Sequence, residues 1–254
     1  MVFVHGAAMD HSVWSHQSRY FAYHGYNALA LDLPGHGRSG GEAARDIAQI
    51  GRWVRAIIAT LRVRRIHLVG HSMGALIALE AAARFGDADG GGDGAKESSS
   101  LKLASLSLIG FAYPMAVTPQ LLDAAANDPS AAYAMMTQWS HASQIGGEPV
   151  PGFWSPGMQM SLMESSRPGA LLADLIACNE YDGGERGIKA VACPTLFVCG
   201  RRDKMAPAKL AQAHAARNDN AEIVFLPDCG HNLMAESPHQ VLRELKRFIA
   251  ASCA

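Results

Sequence analysis

Short apolar runs recur along the chain, separated by longer stretches with helical spacing. The runs Met1–Val4, Ala28–Asp32, Ile66–Gly70, Leu103–Ile109, Thr195–Cys199 and Glu222–Leu226 are apolar on both faces, as strands covered by helices on either side should be. Between them, Val13–Tyr23, Ala44–Leu61, Met73–Phe85, Pro207–Arg217 and Pro238–Ala251 read as helices. The alternation predicts an α/β fold, a mostly parallel sheet with helices on both faces. Two regions depart from it. Gly86–Ser100, GDADGGGDGAKESSS, is too rich in Gly, Asp and Ser to bury a core and reads as a surface loop whose simplest account is an insertion without function. Phe111–Ala190 has no clear strand and carries Met, Trp and Phe among prolines and glycines, which predicts short inserted helices. The expected division is a core of 1–110 and 189–254 with a helical cap of 111–188.

The sharpest chemical signal is GHSMG, Gly70–Gly74, between a strand-like run and an Ala-rich helix. It fits G-x-S-x-G, a strand-to-helix corner that lifts a serine hydroxyl above the sheet, with the helix N-terminus behind it favouring developing negative charge. A serine needs a base to take its proton and a third group to orient the base. His231, in LPDCGHNLM, follows the last expected strand, and Asp203, in CGRRDKMAP, follows the one before it. All three fall at the carboxyl ends of parallel strands, the edge where open α/β sheets bind ligands. Each has a plainer reading. Ser72 could cap a helix, Asp203 could cap the helix near Pro207, and His231 could be structural. No Asp or Glu follows Leu103–Ile109, the other place for an acid.

With these features the chain resembles the α/β-hydrolase superfamily: GHSMG, His5-Gly6 after the first run, DLPGHGRS at Asp32–Ser39, GRRD ending at Asp203, and Gly230-His231. The resemblance covers nearly everything except Gly86–Ser100 and much of the insert. It implies Ser72, Asp203 and His231 as catalytic residues and the backbone N–H groups of Ala7 and Met73 as the oxyanion hole. It also implies a cap over the serine, and among its apolar side chains Met136, Trp139, Trp154 and Met160 are candidates for a substrate pocket; the alternative is that they only glue cap to core. The expected activity is hydrolysis of a small, uncharged, largely apolar carboxylic ester through an acyl-enzyme, with water as co-substrate. On the same triad, a carbon–carbon bond hydrolase or a lactonase is the alternative, and a ligand receptor keeping the fold is the rival from another class. Dehalogenase and epoxide-hydrolase chemistry would want Asp where Ser72 stands.

Charge narrows the partners. With 22 basic and 23 acidic residues the formal charge is -1, so neither nucleic acid nor an anionic membrane is an expected partner. Arg167 and Arg186 are the only cations between Phe111 and Gly187, which disfavours a substrate held by its own carboxylate. The histidines form no metal-binding pattern, and neither metal nor cofactor is expected. Five scattered cysteines without a C-x-x-C pair, and an opening decapeptide without a basic n-region, fit the cytoplasm. The resembled fold normally opens with two further strands, so Ala28–Asp32 is expected at the sheet edge, with no lysine or proline in Asn27–Leu31 to protect it. That exposure points either to a natural start upstream of Met1 or to two copies meeting edge to edge as a homodimer.

Overall fold

The structure, a computed structural model, describes residues 1–85, 101–142 and 154–252; the loop reading of 86–100 lies outside them. Among the described residues, six strands build one sheet: β1 (Val2–Val4), β2 (Leu29–Ala30), β3 (Arg65–His71), β4 (Lys102–Ile109), β5 (Thr195–Gly200) and β6 (Ala221–Leu226). Their order is β2-β1-β3-β4-β5-β6, and every neighbouring pair is parallel. Val2 lies opposite Leu68, and Phe3 opposite Val69. The two-residue period of a strand then sends Val2, Val4, Leu68, Leu106 and Leu108 into one core and Phe3, Val69, Ile109 and Val198 into the other. Both faces need helices, which is why the runs lack polar alternation.

On the first face lie α2 (Ile47–Thr60) and α3 (Met73–Ala83). α2 buries Ile47, Ile50, Val54 and Ile58 along one stripe, and Asp46 caps it by accepting the Ala48 N–H at 2.7 Å. α3 is buried on all sides because it runs between the sheet, α2 and a later helix. Its buried Glu80 is matched by Arg84 at 2.7 Å and by the Tyr181 hydroxyl at 2.8 Å. On the second face, α1 (Ser15–Tyr23), preceded by a 3-10 turn at His11–Trp14, packs beside the C-terminal helix α11 (Pro238–Ser252), which buries Val241, Leu245, Phe248 and Ile249.

The segment between β4 and β5 carries α4 (Pro119–Asn127), α5 (Pro129–Ser140), α6 (Ser155–Glu164), α7 (Ala170–Glu180) and α8 (Gly184–Ala190). α4 packs on α5 and α7, and α5 on α6. α8 lies along α3 and on α9 (Ala208–Ala215), so the expected boundary at residue 188 falls inside a helix that belongs with the core. A short α10 (Leu233–Glu236) precedes α11. β2 is the edge of the described sheet, as expected, but shorter than the run 28–32. The chain turns away at Asp32, whose carboxylate gathers the N–H groups of His11 at 2.8 Å and Arg38 at 3.0 Å. Among the described residues, no helix is long and apolar enough to cross a membrane.

Candidate active site

The corner between β3 and α3 is forced by contact. A Cβ on Gly70 would lie 2.1 Å from the Gly74 carbonyl oxygen, and one on Gly74 would lie 2.3 Å from that of Val4. Only glycine at both positions lets the helix start directly over the sheet. Ser72 between them has φ +54 and ψ −122, and its N–H donates to the Ile109 carbonyl at 2.9 Å, extending the β3–β4 ladder by one residue. A non-glycine residue in that region is strained and needs its surroundings to hold it. Ser72 stands at the N-cap of α3, but its hydroxyl makes no capping bond; it lies 2.8 Å from His231 Nε2.

His231 Nδ1 is 2.8 Å from Asp203 Oδ2. The carboxylate can only accept, so Nδ1 carries the proton and Nε2 is left to accept from the Ser72 hydroxyl. Asp203 Oδ1 meanwhile accepts the N–H groups of Met205 at 2.9 Å and Ala206 at 2.7 Å. Asp203 therefore does not cap α9, whose N-cap is Pro207 without a side-chain capping bond; one of its oxygens shapes the loop before α9 and the other faces the imidazole. Asp203 and His231 are buried, while Ser72 is half-buried. Such a chain can move the serine proton onto Nε2 with the resulting imidazolium facing a carboxylate.

The loop after β1 closes the other side. Gly6 passes so near that a Cβ there would lie 3.2 Å from Ser72 Cβ, and Ala7 lines the same small space. Met73 has its side chain buried in the core, leaving its N–H, one of the first-turn donors without an intrahelical acceptor. His5 donates from Nδ1 to the Gly6 carbonyl at 2.8 Å and accepts the Leu33 N–H at Nε2, 3.1 Å. Burial pushes it down to about 4, so it is a neutral brace. His71 donates to the His231 carbonyl at 2.8 Å and is pushed by burial to about 3. Cys229, two residues before His231, is fully buried, and burial raises its thiol to about 11, which makes it inert. The half-buried cluster Asp10, His11 and Asp32 comes close enough for a metal, but Asp32 already accepts from His11 Nδ1 at 2.8 Å and from two N–H groups, the pattern of a loop brace.

A cavity of about 20 Å³ sits on Ser72 and His231. It adjoins a cleft of about 630 Å³ through three shared residues, Met9, Gln159 and Asn232. Val13, Met158, Leu162 and Met234 give that cleft apolar walls, and among the described residues no Asp, Glu, Lys or Arg lines it. Of the expected pocket residues, Met136 lines the small cavity. Trp139 and Met160 instead pack half-buried against the main core, and Trp154, just before α6, is 68% exposed and lies over Gly157. α5 turns Met136 and Ser140 inward, and α6 turns Ser155, Gln159 and Met163 inward; Trp139 and Met160 lie beside those faces, and Trp154 precedes α6. The sequence reading missed the polar group there. Gln159 Oε1 accepts from the Ser140 hydroxyl at 2.8 Å and from Asn232 Nδ2 at 3.3 Å, which leaves its amino group as the donor it can offer a ligand. Neither arginine of the segment lines these two cavities: Arg167 donates to the Gly41 and Ser39 carbonyls at 3.0 and 2.8 Å, and Arg186 stands 3.9 Å from Glu80.

A serine at a strand-to-helix corner, a histidine on its hydroxyl and a carboxylate behind the histidine form the arrangement of hydrolases that use a serine nucleophile. The chain belongs to the alpha/beta hydrolase family, whose family model matches residues 1–244. Among curated proteins it is similar to the dihydrolipoyllysine-residue acetyltransferase component of the acetoin cleaving system of Pseudomonas putida, 28% identical over 256 residues. The match takes in 98% of this chain but only 63% of that protein. Among solved structures, an esterase from Exiguobacterium antarcticum superposes with a TM-score of 0.83 at 17% identity, over 98% of this chain and 91% of its own. The enol-lactonase of Burkholderia xenovorans LB400 gives 0.79 at 19% identity, over 98% and 90%. At these identities the two structures establish the fold.

Proposed function

We propose that this protein is a serine hydrolase that cleaves an uncharged, largely apolar carboxylic ester through an acyl-enzyme. The observation that carries the reading is the unbroken chain Asp203–His231–Ser72, with both links at 2.8 Å, opening beside an apolar-walled cleft that, among the described residues, no Asp, Glu, Lys or Arg lines. His231 Nε2 takes the hydroxyl proton as Ser72 Oγ bonds to the ester carbonyl carbon, and the oxyanion is held by the Ala7 and Met73 N–H groups. Collapse of the tetrahedral adduct breaks the bond to the leaving oxygen, which receives the proton from Nε2. Water then gives its proton to Nε2 and its oxygen to the acyl carbon, and Ser72 leaves protonated. Helices α4–α7 act as the cap, and the cleft holds the bulk of the substrate; its volume suits a small-molecule site, roughly 300–1,000 Å³. The same steps open a lactone, the substrate type named for the enol-lactonase whose fold is shared. Free cysteines at 178, 193, 199 and 229 fit the reducing cytoplasm we assign to it.

The test is a panel of p-nitrophenyl esters of increasing acyl length on purified protein, with a lactone and a vinylogous diketone beside them. The reading expects turnover of esters with a preference for medium acyl chains. Turnover of the diketone with inert esters would replace it by carbon–carbon hydrolysis.

A further inference from the structure

We propose that Asp174 is a positioning residue: carried on α7, it holds the oxyanion loop in its working shape by binding Ala8. The inference rests on the serine-hydrolase reading above. Asp174 lies in ALLADLIACNE, a helix otherwise apolar on its inner face, and is 1% exposed. Burying a carboxylate costs several kcal/mol unless it is paired and hydrogen-bonded, and an apolar residue would serve mere packing better. The geometry shows where the charge is used. Oδ2 accepts the Ala8 N–H at 2.8 Å and bonds His36 Nε2 at 2.9 Å. Among the described residues, Oδ1 has no partner.

Ala8 needs such a hold. Its φ is +53, a left-handed conformation that is strained for a residue with a side chain and persists only where its surroundings dictate it. The N–H immediately before it is that of Ala7, assigned above to the oxyanion. Asp174 fixes the Ala7–Ala8 peptide plane, and through the two Ala7 dihedrals this restricts the adjoining Gly6–Ala7 plane that carries the Ala7 donor. His36 secures the carboxylate in turn. Its Nδ1 faces the Pro34 carbonyl at 3.0 Å and its Nε2 faces Asp174, so both nitrogens must donate and the ring is an imidazolium. Burial works against that charge, but the hydrogen bond and charge of Asp174 prevail and the His36 pKa is raised. A helix of the cap thus reaches through a buried ion pair to the loop that meets the substrate oxyanion.

The experiment measures kcat and KM per titratable serine, counted with a fluorophosphonate, for wild type, Asp174→Asn and His36→Gln on one p-nitrophenyl ester. Asp174→Asn should titrate fully, keep KM within about threefold and lose kcat about 10- to 100-fold, the scale of a misdirected oxyanion donor. His36→Gln, which keeps a donor to Asp174 without the charge, should lose about 3- to 10-fold. A merely structural Asp174 would give fewer titratable sites at unchanged kcat per site, and that result overturns the inference. Should Asp174→Asn fail to fold, His36→Gln decides alone: unchanged kcat per site overturns it. Wild type that takes no phosphonate at Ser72 would instead fail the underlying hydrolase reading.

Discussion

The main-chain carbonyl of Ser140 accepts the N–H of His231 at 2.7 Å, and that of Asn232 beside it at 2.9 Å. The last residue of α5 thereby holds the loop that carries the histidine. Glu236 clamps the same junction, one oxygen on the Gly230 N–H at 3.0 Å and the other on the Ala142 N–H at 2.8 Å. The histidine is positioned as much by the insert as by β6. Glu236→Ala strips both N–H groups of their acceptor, so it should cost ~2 kcal/mol of stability and lower kcat. Urea unfolding and ester kinetics on the variant check this; wild-type values for both would mean the clamp is idle.

Gly74→Ala should be far more damaging than its size suggests. The added Cβ would stand 2.3 Å from the Val4 carbonyl oxygen and 2.4 Å from that of His5, both backbone atoms that cannot swing aside. The corner must open, moving Ser72 from His231. A loss of more than ~3 kcal/mol is expected, at or beyond the upper end for overpacking, with activity lost in whatever folds. Thermal unfolding reads it directly, and a stable, active variant would refute the packing argument.

The cleft makes a selective prediction. Ser161 is exposed on α6 and lines the cleft but not the small cavity on Ser72. Ser161→Trp should fill part of the cleft, lowering kcat/KM for an octanoate ester about tenfold while leaving the acetate ester near wild type. Two methylenes excluded from an apolar site, at ~0.8 kcal/mol each, suffice for that ratio. Equal losses on both esters would place the acyl chain elsewhere.

Stability should fall with acid in a defined window. Burial holds His5 at about 4 and His71 at about 3, well below the ordinary 6.5. Between those values and about pH 6.5 the unfolded chain binds protons that the folded chain refuses, so stability is complete above the window and declines as pH drops through it. Each histidine adds roughly 1.4 kcal/mol per pH unit there. His36, raised by Asp174, works in the opposite sense: its contribution is fully present below about 6.5 and is lost as pH rises through its folded value. Denaturant titrations at pH 7, 5.5 and 4.5 should show the decline, and His71→Gln should make it shallower. A flat profile, or one that His71→Gln leaves unchanged, would contradict these assignments.

The strands were legible because a sheet buried on both faces leaves apolar runs that loops do not imitate. The corner at Ser72 was legible because its glycines answer to backbone contacts only glycine permits. Trp139, Trp154 and Met160 line neither of the two cavities described, a placement the sequence could not give because apolar side chains in an insert fit any interior, and which face α5 and α6 turn inward depends on packing that spacing does not reveal. Asp174 and His36 meet across 138 residues. The signal available was a lone aspartate inside an apolar helix, which says that a partner exists without saying which.

The central claim is that Ser72 is the nucleophile and His231 its base. Treating the protein with a fluorophosphonate and locating the adduct by peptide mass spectrometry tests it most directly. The account predicts one phosphonyl group per chain, on Ser72, abolished in Ser72→Ala and slowed at least a hundredfold in His231→Ala, with ester hydrolysis lost in parallel. An adduct on another residue, or ester turnover surviving in Ser72→Ala, would contradict it.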